Sequence, residues 1–397
     1  VSSHGGGRRP ATGWAAAAIL LGACGGASGG VPQPGSTVDG TGDGTDGRDA
    51  SVPTDGALSA GARSDGAAAS ASDPGAGAGD AGAGESGSRD GGAAGPYPPL
   101  AFASIGAPVK VSGPAFQFTE GPVWDPLHQV LYLTDINADI IYRFTPPATF
   151  DVLLQPMGNA DGLALTPQGE LIAAGFVSRD VWKLAGGAMQ ALASNDQGKK
   201  LDSPDDLIAR SDGVIYFTDP TFGISGGQGF AAQTQEPSTQ GVYRLATDGS
   251  LHLEDASTAG PNGVELSPDE RTLYVSYTNT GEIDAFSVAS DGALGQKRVF
   301  AAGVPIADSM CVDAAGDVYA ATGSLAGGGG IAVFDPAGKR LGTIGLAQIP
   351  TNCAFGGADQ RTLFVTARTA LAGTPAPGNA SLYRIDAMPI PGLPGRP

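Results

Sequence analysis

Residues 120–135 read EGPVWDPLHQVLYLTD, residues 205–219 read DDLIARSDGVIYFTD and residues 262–277 read NGVELSPDERTLYVSY. Each stretch opens on an oxygen-bearing residue, runs into an apolar strand, turns through Asp, Pro, Ser or Gly, and resumes as a strand with an aromatic residue. Three further copies complete the set: Asp161–Leu165 with Leu171–Ala174, Asp308–Val312 with Val318–Ala320, and Thr351–Phe355 with Leu363–Thr366. A third strand follows in every copy (Ile141–Phe144, Val181–Leu184, Val242–Leu245, Ile283–Phe286, Ile331–Phe334 and Leu382–Ile385), and a weaker fourth, such as Val152–Leu154, precedes the next copy. The opening residues are separated by 41, 44, 57, 46 and 43 positions. A period of this length with several short strands per unit is the signature of propeller blades, and no segment of useful length shows the 3.6-residue apolar period of a helix. The expected fold is all-β: a six-bladed β-propeller of four-stranded antiparallel blades over residues 101–390. The longest interval contains the polar, Gly-rich stretch Gly223–Gln240, expected as a loop between strands. A strand near Val109–Val111 or Phe116–Phe118 is expected to complete the last blade and close the ring.

The rest of the 397 residues has another character. Residues 25–100 are Gly, Ala, Ser and Asp with almost no large apolar side chain; such a stretch cannot bury enough surface to offset its ordering entropy and is expected as a disordered tether. Ahead of it, Arg8 and Arg9 precede the apolar run Trp14–Leu21 and then Gly22-Ala23-Cys24, the layout of a secretory signal over residues 1–24 whose apolar run is too short to span a bilayer. Leu21-Gly22-Ala23-Cys24 resembles a bacterial lipobox, so Cys24 is the expected acylation site, against the alternative of an ordinary cleaved signal. The expected location is therefore exported: a bacterial lipoprotein on the cell envelope, touching membrane only through its lipid anchor, or otherwise a periplasmic or secreted protein. Residues 391–397 are expected as a flexible tail, and the domain as a monomer.

Forty acidic against 22 basic residues give a net charge of −18, which argues against nucleic acid as a partner. Cys311 and Cys353 lie in apolar strand patterns, no CxxC occurs, and the domain contains only His128 and His252, so a Cys/His zinc site is close to excluded. The two cysteines are expected to be free buried thiols, with a disulfide as the alternative. No G-x-S-x-G elbow is present and neither histidine falls near the repeated opening positions, which removes support for a Ser-His-Asp triad.

Because a propeller repeat is rotational, equivalent positions meet at its axis. The first residues of the innermost strands are Glu120, Asp161, Asp205, Asn262, Asp308 and Thr351, all oxygen-bearing and four of them carboxylates. Asp and Asn also favour turns and begin strands for that reason alone. Oxygen at every one of the six positions favours a metal site, because converging carboxylates repel unless a cation joins them. Calcium suits best, taking six to eight oxygen ligands in flexible geometry, although another divalent cation would meet the same need.

At this point the chain resembles the gluconolactonase/regucalcin (senescence-marker) family of calcium-dependent six-bladed propellers. The resemblance is carried by Glu120–Trp124, Ser203–Leu207, Tyr216–Pro220, Pro261–Gly263 and Met310–Asp313, and covers nearly all of residues 115–385. It implies that Glu120, Asp205, Asn262 and Asp308 hold the ion, and that the reaction is hydrolysis of a lactone or related ester. An ion with an open position polarises the carbonyl, and Asp308 is the candidate catalytic base. Asp205, Asp161 and Arg179 are the candidate substrate contacts, although an exposed strand-edge arginine is the plainer reading of Arg179.

The chain also departs from the family pattern. Asp161, Asp202 and Asp205 stand where Asn is common, and the charge at Asp205 should tighten calcium while weakening its pull on a carbonyl. Gly175-Phe176-Val177 replaces a polar Glu-His-Gly wall with an aromatic one, and Ser309 replaces a glycine beside Asp308. These changes point to a lactone or ester more apolar than gluconolactone. A non-catalytic, calcium-stabilised propeller serving as a surface binding module stays open beside the enzyme.

Overall fold

The computed structural model describes residues 97–393 apart from 238, 325–327 and 372. The expected signal segment with Cys24 and nearly all of the tether lie outside the described residues. Six four-stranded antiparallel sheets and one two-stranded hairpin make up the fold, as the repeat requires. From the axis outward, blade 1 runs Thr119–Asp125, Val130–Asp135, Ile140–Thr145 and Thr149–Leu154. Blades 2 to 5 follow in sequence order, with innermost strands Leu163–Leu165, Leu207–Ala209, Pro261–Leu266 and Met310–Val312. Blade 6 combines Ile349–Gly356, Thr362–Arg368 and Ala380–Ile385 with Val109–Lys110 from the other end of the domain. Val109 pairs with Arg384 and Lys110 with Tyr383, so the first strand closes the ring, at the first of the two places the sequence offered for it. Among the described residues no helix is long and apolar enough to cross a membrane.

The cores lie between blades. Six apolar clusters each join two neighbours, and the seam of blades 6 and 1 shows how: Trp124 stacks on Phe364 with centroids 5.7 Å apart, beside Phe144 and Leu382. Gly356 lies directly under that indole, where a Cβ would meet the ring at 2.7 Å. Such clusters bury aromatic side chains that a single twisted sheet could not cover, which is why the blades are stable only as a closed ring.

The loop expected over Gly223–Gln240 is found, with the next strand resuming at Gln240. It lies against neighbouring blades: Asn137 Nδ2 donates to Gln228 O at 2.8 Å, and Phe230 meets Phe176 edge-on at 6.1 Å. At the other end, Ala314 N donates to Pro391 O and Gly392 N to Gln360 O. The chain is thus still bonded to the propeller at Gly392, within the stretch expected as a tail, and residues 394–397 lie outside the described residues.

The expectation of free thiols is wrong. Cys311 and Cys353 form a disulfide with their Cα atoms 5.7 Å apart. The two lie 42 residues apart, close to one blade period, on the innermost strands of adjacent blades, where the rotation brings equivalent positions together. Spacing alone could not supply the phase of those strands. Cross-linking of this span removes chain entropy from the unfolded state, so Cys353→Ser should cost about 2–4 kcal/mol of stability. Thiol titration of the unreduced, unfolded domain checks the pairing: no reaction at Cys311 or Cys353 is expected, and two reactive thiols there would contradict it.

A ring of buried acids at the propeller axis

The site is set by a seam of hydrogen bonds that joins neighbouring blades around the axis. Thr134 Oγ1 donates to Asp161 O (2.8 Å), Gly162 N to Asp205 O (2.8 Å), Thr218 Oγ1 to Asn262 O, and Ser276 Oγ to Asp308 O (2.6 Å). Ser309 N donates to Thr351 O (3.0 Å) and Thr351 Oγ1 to Thr119 O (2.9 Å), completing the circle. In blades 1, 3 and 4 a second-strand Thr or Ser hydroxyl makes the bond; in blades 2 and 5, where Ala174 and Ala321 stand instead, the backbone N–H of Gly162 or Ser309 does so, and in blade 6 the Thr351 hydroxyl does. Asp161, Asp205, Asn262, Asp308 and Thr351 therefore have their carbonyls tied to the blade before; in blade 1 the bond falls on Thr119, one residue ahead of Glu120. Glycines make the approach close enough. A Cβ on Gly162 would meet Asp206 Oδ1 at 2.5 Å and Asp205 O at 2.9 Å, and one on Gly121 would meet Asp161 O at 2.4 Å. Register shifts at Glu120/Val123 and Pro261/Val264 free Glu120 and Asn262 from regular strand geometry, a common way of re-aiming a side chain at a site.

The structure brings Glu120, Asp161, Asp205, Asn262 and Asp308 together, all between 3 and 7 % exposed. Burial pushes the carboxyl groups of Glu120, Asp161 and Asp205 well above the ordinary range, and their acidic neighbours push in the same direction. Asp308 is pushed up to about 7 by burial, a rise opposed by Arg368 and by its hydrogen bond with Asn262. Asp206, a fifth acid that the repeat did not single out, lies just beneath. It accepts from Leu207 N and Val264 N, borders the narrow channel below the ring, and is pushed up to about 6 by burial. Thr351, by contrast, leaves the donor set, because its hydroxyl belongs to the seam and to Thr366 Oγ1 at 2.9 Å. Ser309, which occupies a glycine position, hydrogen-bonds Asp206 and lies 3.5 Å from Asn262 Oδ1.

Arg179 is neither an exposed strand-edge residue nor placed as a substrate contact. It is 3 % exposed, its Nε donates to Leu201 O at 2.6 Å, and its guanidinium faces Asp202 and Glu236. With Gln235 on Asp202 at 2.7 Å, it fixes the 199–202 segment and the long loop to the body. The aromatic wall expected at Phe176 is present: Phe176 packs with Phe118 and Ile136, joined by Val177, Phe222 and Phe230. Arg368 was missed. It is 8 % exposed, lies 4.2 Å from the Phe118 ring centroid, and is the cation acting on Glu120, Asp205 and Asp308. The signal was available, since it follows the seam residue Thr366 by two positions, as Ile136 follows Thr134 and Thr278 follows Ser276.

The donor chemistry suits a hard divalent cation: oxygen donors only, an excess of buried negative charge and one nearby guanidinium. Among the described residues, however, no three Asp, Glu, His or Cys side chains converge as a closed ligand cluster. Any ion has to draw on the Asn262 amide and on adjustment of the carboxylates.

A propeller fold alone does not decide between catalysis and binding. Residues 118–369 match the family described as SMP-30/Gluconolactonase/LRE-like region, and the chain belongs to that family. A gluconolactonase of Zymomonas mobilis is 32 % identical over 297 residues, covering 67 % of this chain and 81 % of the relative. A pentonolactonase of Haloferax volcanii is 26 % identical over 286 residues, covering 67 % of this chain and 90 % of its own. The solved structure of a gluconolactonase from Xanthomonas campestris superposes with a TM-score of 0.63 at 31 % identity, covering 74 % of this chain and 93 % of that one.

Acids outside the ring give a pH test. Burial raises Asp202 to about 6, Asp219 to about 8, Asp313 to about 6 and Asp317 to about 7. An acid raised in the folded state contributes stability that is complete below its unfolded value and is lost as pH climbs through the folded one. The melting temperature of chelator-treated protein should therefore fall between about pH 5 and pH 9; a rise over that interval would contradict the burial of these groups.

Proposed function

We propose that the protein is a lactonase that adds water across a cyclic ester at the axial acid ring, with calcium or a similar divalent cation held by Glu120, Asp205, Asn262 and Asp308. The observation that carries this reading is the ring itself: oxygen donors from four blades, buried together with too little positive charge. Relatives named for lactone hydrolysis support it. Held by these residues, the ion would supply Lewis-acid polarisation of the ester carbonyl and orientation of the water.

The chain's own residues do the rest. Asp308, the most exposed of the five acids at 7 %, takes a proton from the attacking water. The water oxygen bonds to the acyl carbon, the ring C–O bond breaks, and the proton passes to the departing alkoxide oxygen, leaving a hydroxy acid. Asp161, in the ring but outside the four ligands, accepts from a substrate hydroxyl. The third carboxylate, at Asp205, tightens cation binding at the expense of carbonyl polarisation.

The named relatives act on sugar lactones. In this chain the wall formed by Phe118, Phe176, Phe222 and Phe230 excludes water and favours a lactone with an apolar face or substituent over gluconolactone. The leader with Arg8, Arg9 and Cys24 fits a monomeric enzyme exported and anchored at the cell envelope.

Initial rates on gluconolactone and on alkyl-substituted γ- and δ-lactones, with calcium or with chelator, test this. Chelation should abolish turnover, Asp308→Asn should lower kcat by about 10²–10⁴-fold, and Phe176→Ala should shift preference toward gluconolactone. Turnover indifferent to chelator, or retained in the Asp308 variant, would refute the mechanism. Calcium-dependent melting without turnover of any lactone would instead mark a binding module.

A further inference from the structure

The repeat places one residue of each blade just above the acid ring, two positions beyond the seam: Ile136, Phe176, Pro220, Thr278, Gly323 and Arg368. Five of these are apolar or small, or, at Thr278, bonded to the backbone at Ala307 O. The sixth is a guanidinium. Arg368 is more than nine-tenths buried, yet among the described residues its guanidinium donates no hydrogen bond and forms no ion pair; its Nε is wholly enclosed and has no acceptor. Its carbon lies over the face of Phe118, 4.2 Å from the ring centroid, a contact that uses none of its N–H donors.

Charge compensation explains a cation near the ring but not this geometry. A guanidinium placed to neutralise carboxylates binds them edge-on through paired N–H donors, and Glu120, Asp205 and Asp308 receive none from Arg368. A buried donor without an acceptor, as Nε is here, is costly unless something outside the chain accepts from it. The position beside Asp308 and the aromatic wall puts that acceptor where a substrate has to lie.

We propose that Arg368 is the substrate-contacting fork of this site, donating in parallel to acyl oxygens: the lactone carbonyl as it gains charge, and the carboxylate of the acid formed. This rests on the lactonase reading for its substrate, but carboxylate recognition by Arg368 can be measured without turnover. A planar fork matches a carboxylate or developing oxyanion, whereas a lysine supplies charge without the paired donors.

The experiment compares wild type, Arg368→Gln and Arg368→Lys at fixed free calcium, titrating each by calorimetry with two matched pairs: D-gluconate against D-glucitol, and 4-hydroxybutyrate against 1,4-butanediol. At least one carboxylate should bind wild type more tightly than its alcohol, weaken tenfold or more in Arg368→Gln, and recover only partly in Arg368→Lys. The alcohols should change less than twofold, and calcium should bind Arg368→Gln at least as tightly as wild type. In lactone assays kcat/KM should fall tenfold or more in Arg368→Gln. Carboxylate binding that is undetectable in wild type, or equal in wild type and Arg368→Gln, overturns the proposal. If wild type turns over no lactone but binds carboxylate through Arg368, the lactonase reading fails and the fork stands.

Discussion

The circle of hydrogen bonds onto the carbonyls of Asp161, Asp205, Asn262, Asp308, Thr351 and Thr119 is the interaction on which the rest of the site depends. Each bond joins one blade to the next at the axis, where blades are closest and side chains least able to fill space. With their carbonyls turned into the seam, Asp161, Asp205, Asn262 and Asp308 direct their side chains out of it, and rotation aims these at one another and at Glu120. Packing between blades and convergence of acids are thus one geometric event. The glycines at 121, 162 and 263 belong to it too, because a Cβ at any of them would strike the backbone of the following blade.

The repeat made the propeller legible because each blade states its strand order in short apolar runs with turn residues between them. Closure by Val109–Lys110 followed from the same logic. Glu120, Asp161, Asp205, Asn262 and Asp308 were legible because they occupy one register in the repeat. What escaped lay between blades or off that register. The Cys311–Cys353 bond needed the phase of two neighbouring strands; Thr351 offered an oxygen that the seam claims; Arg179 carries a charge that points into the body rather than the pocket. Asp206 and Arg368 were hidden by the rule itself, which looked only at the opening residue of each innermost strand. Reading one position onward, or the rim position two beyond the seam, would have found both.

Electrostatics then separates what the fold tolerates from what it needs. Burial raises the four ring acids and Asp206 beneath them, acidic neighbours add to the rise at Glu120, Asp161, Asp205 and Asp308, and one guanidinium is too little to reverse it. Natural cores rarely retain such an arrangement without a cation or a chemical use. Asp205 adds a charge to the acid ring, while the aromatic residues around Phe176 give the neighbouring wall an apolar character. An acidic ring and an apolar wall thus meet at one end of a propeller of the gluconolactonase-like family.

The central claim is that the acid ring exists to hold a divalent cation. Crystals of the domain grown with calcium, examined for anomalous scattering after exchange for a heavier divalent ion, test it most directly. The account predicts one strong axial peak within ligand distance of Glu120, Asp205, Asn262 and Asp308. Well-ordered crystals with no peak there, or with the ion bound only elsewhere, would contradict it.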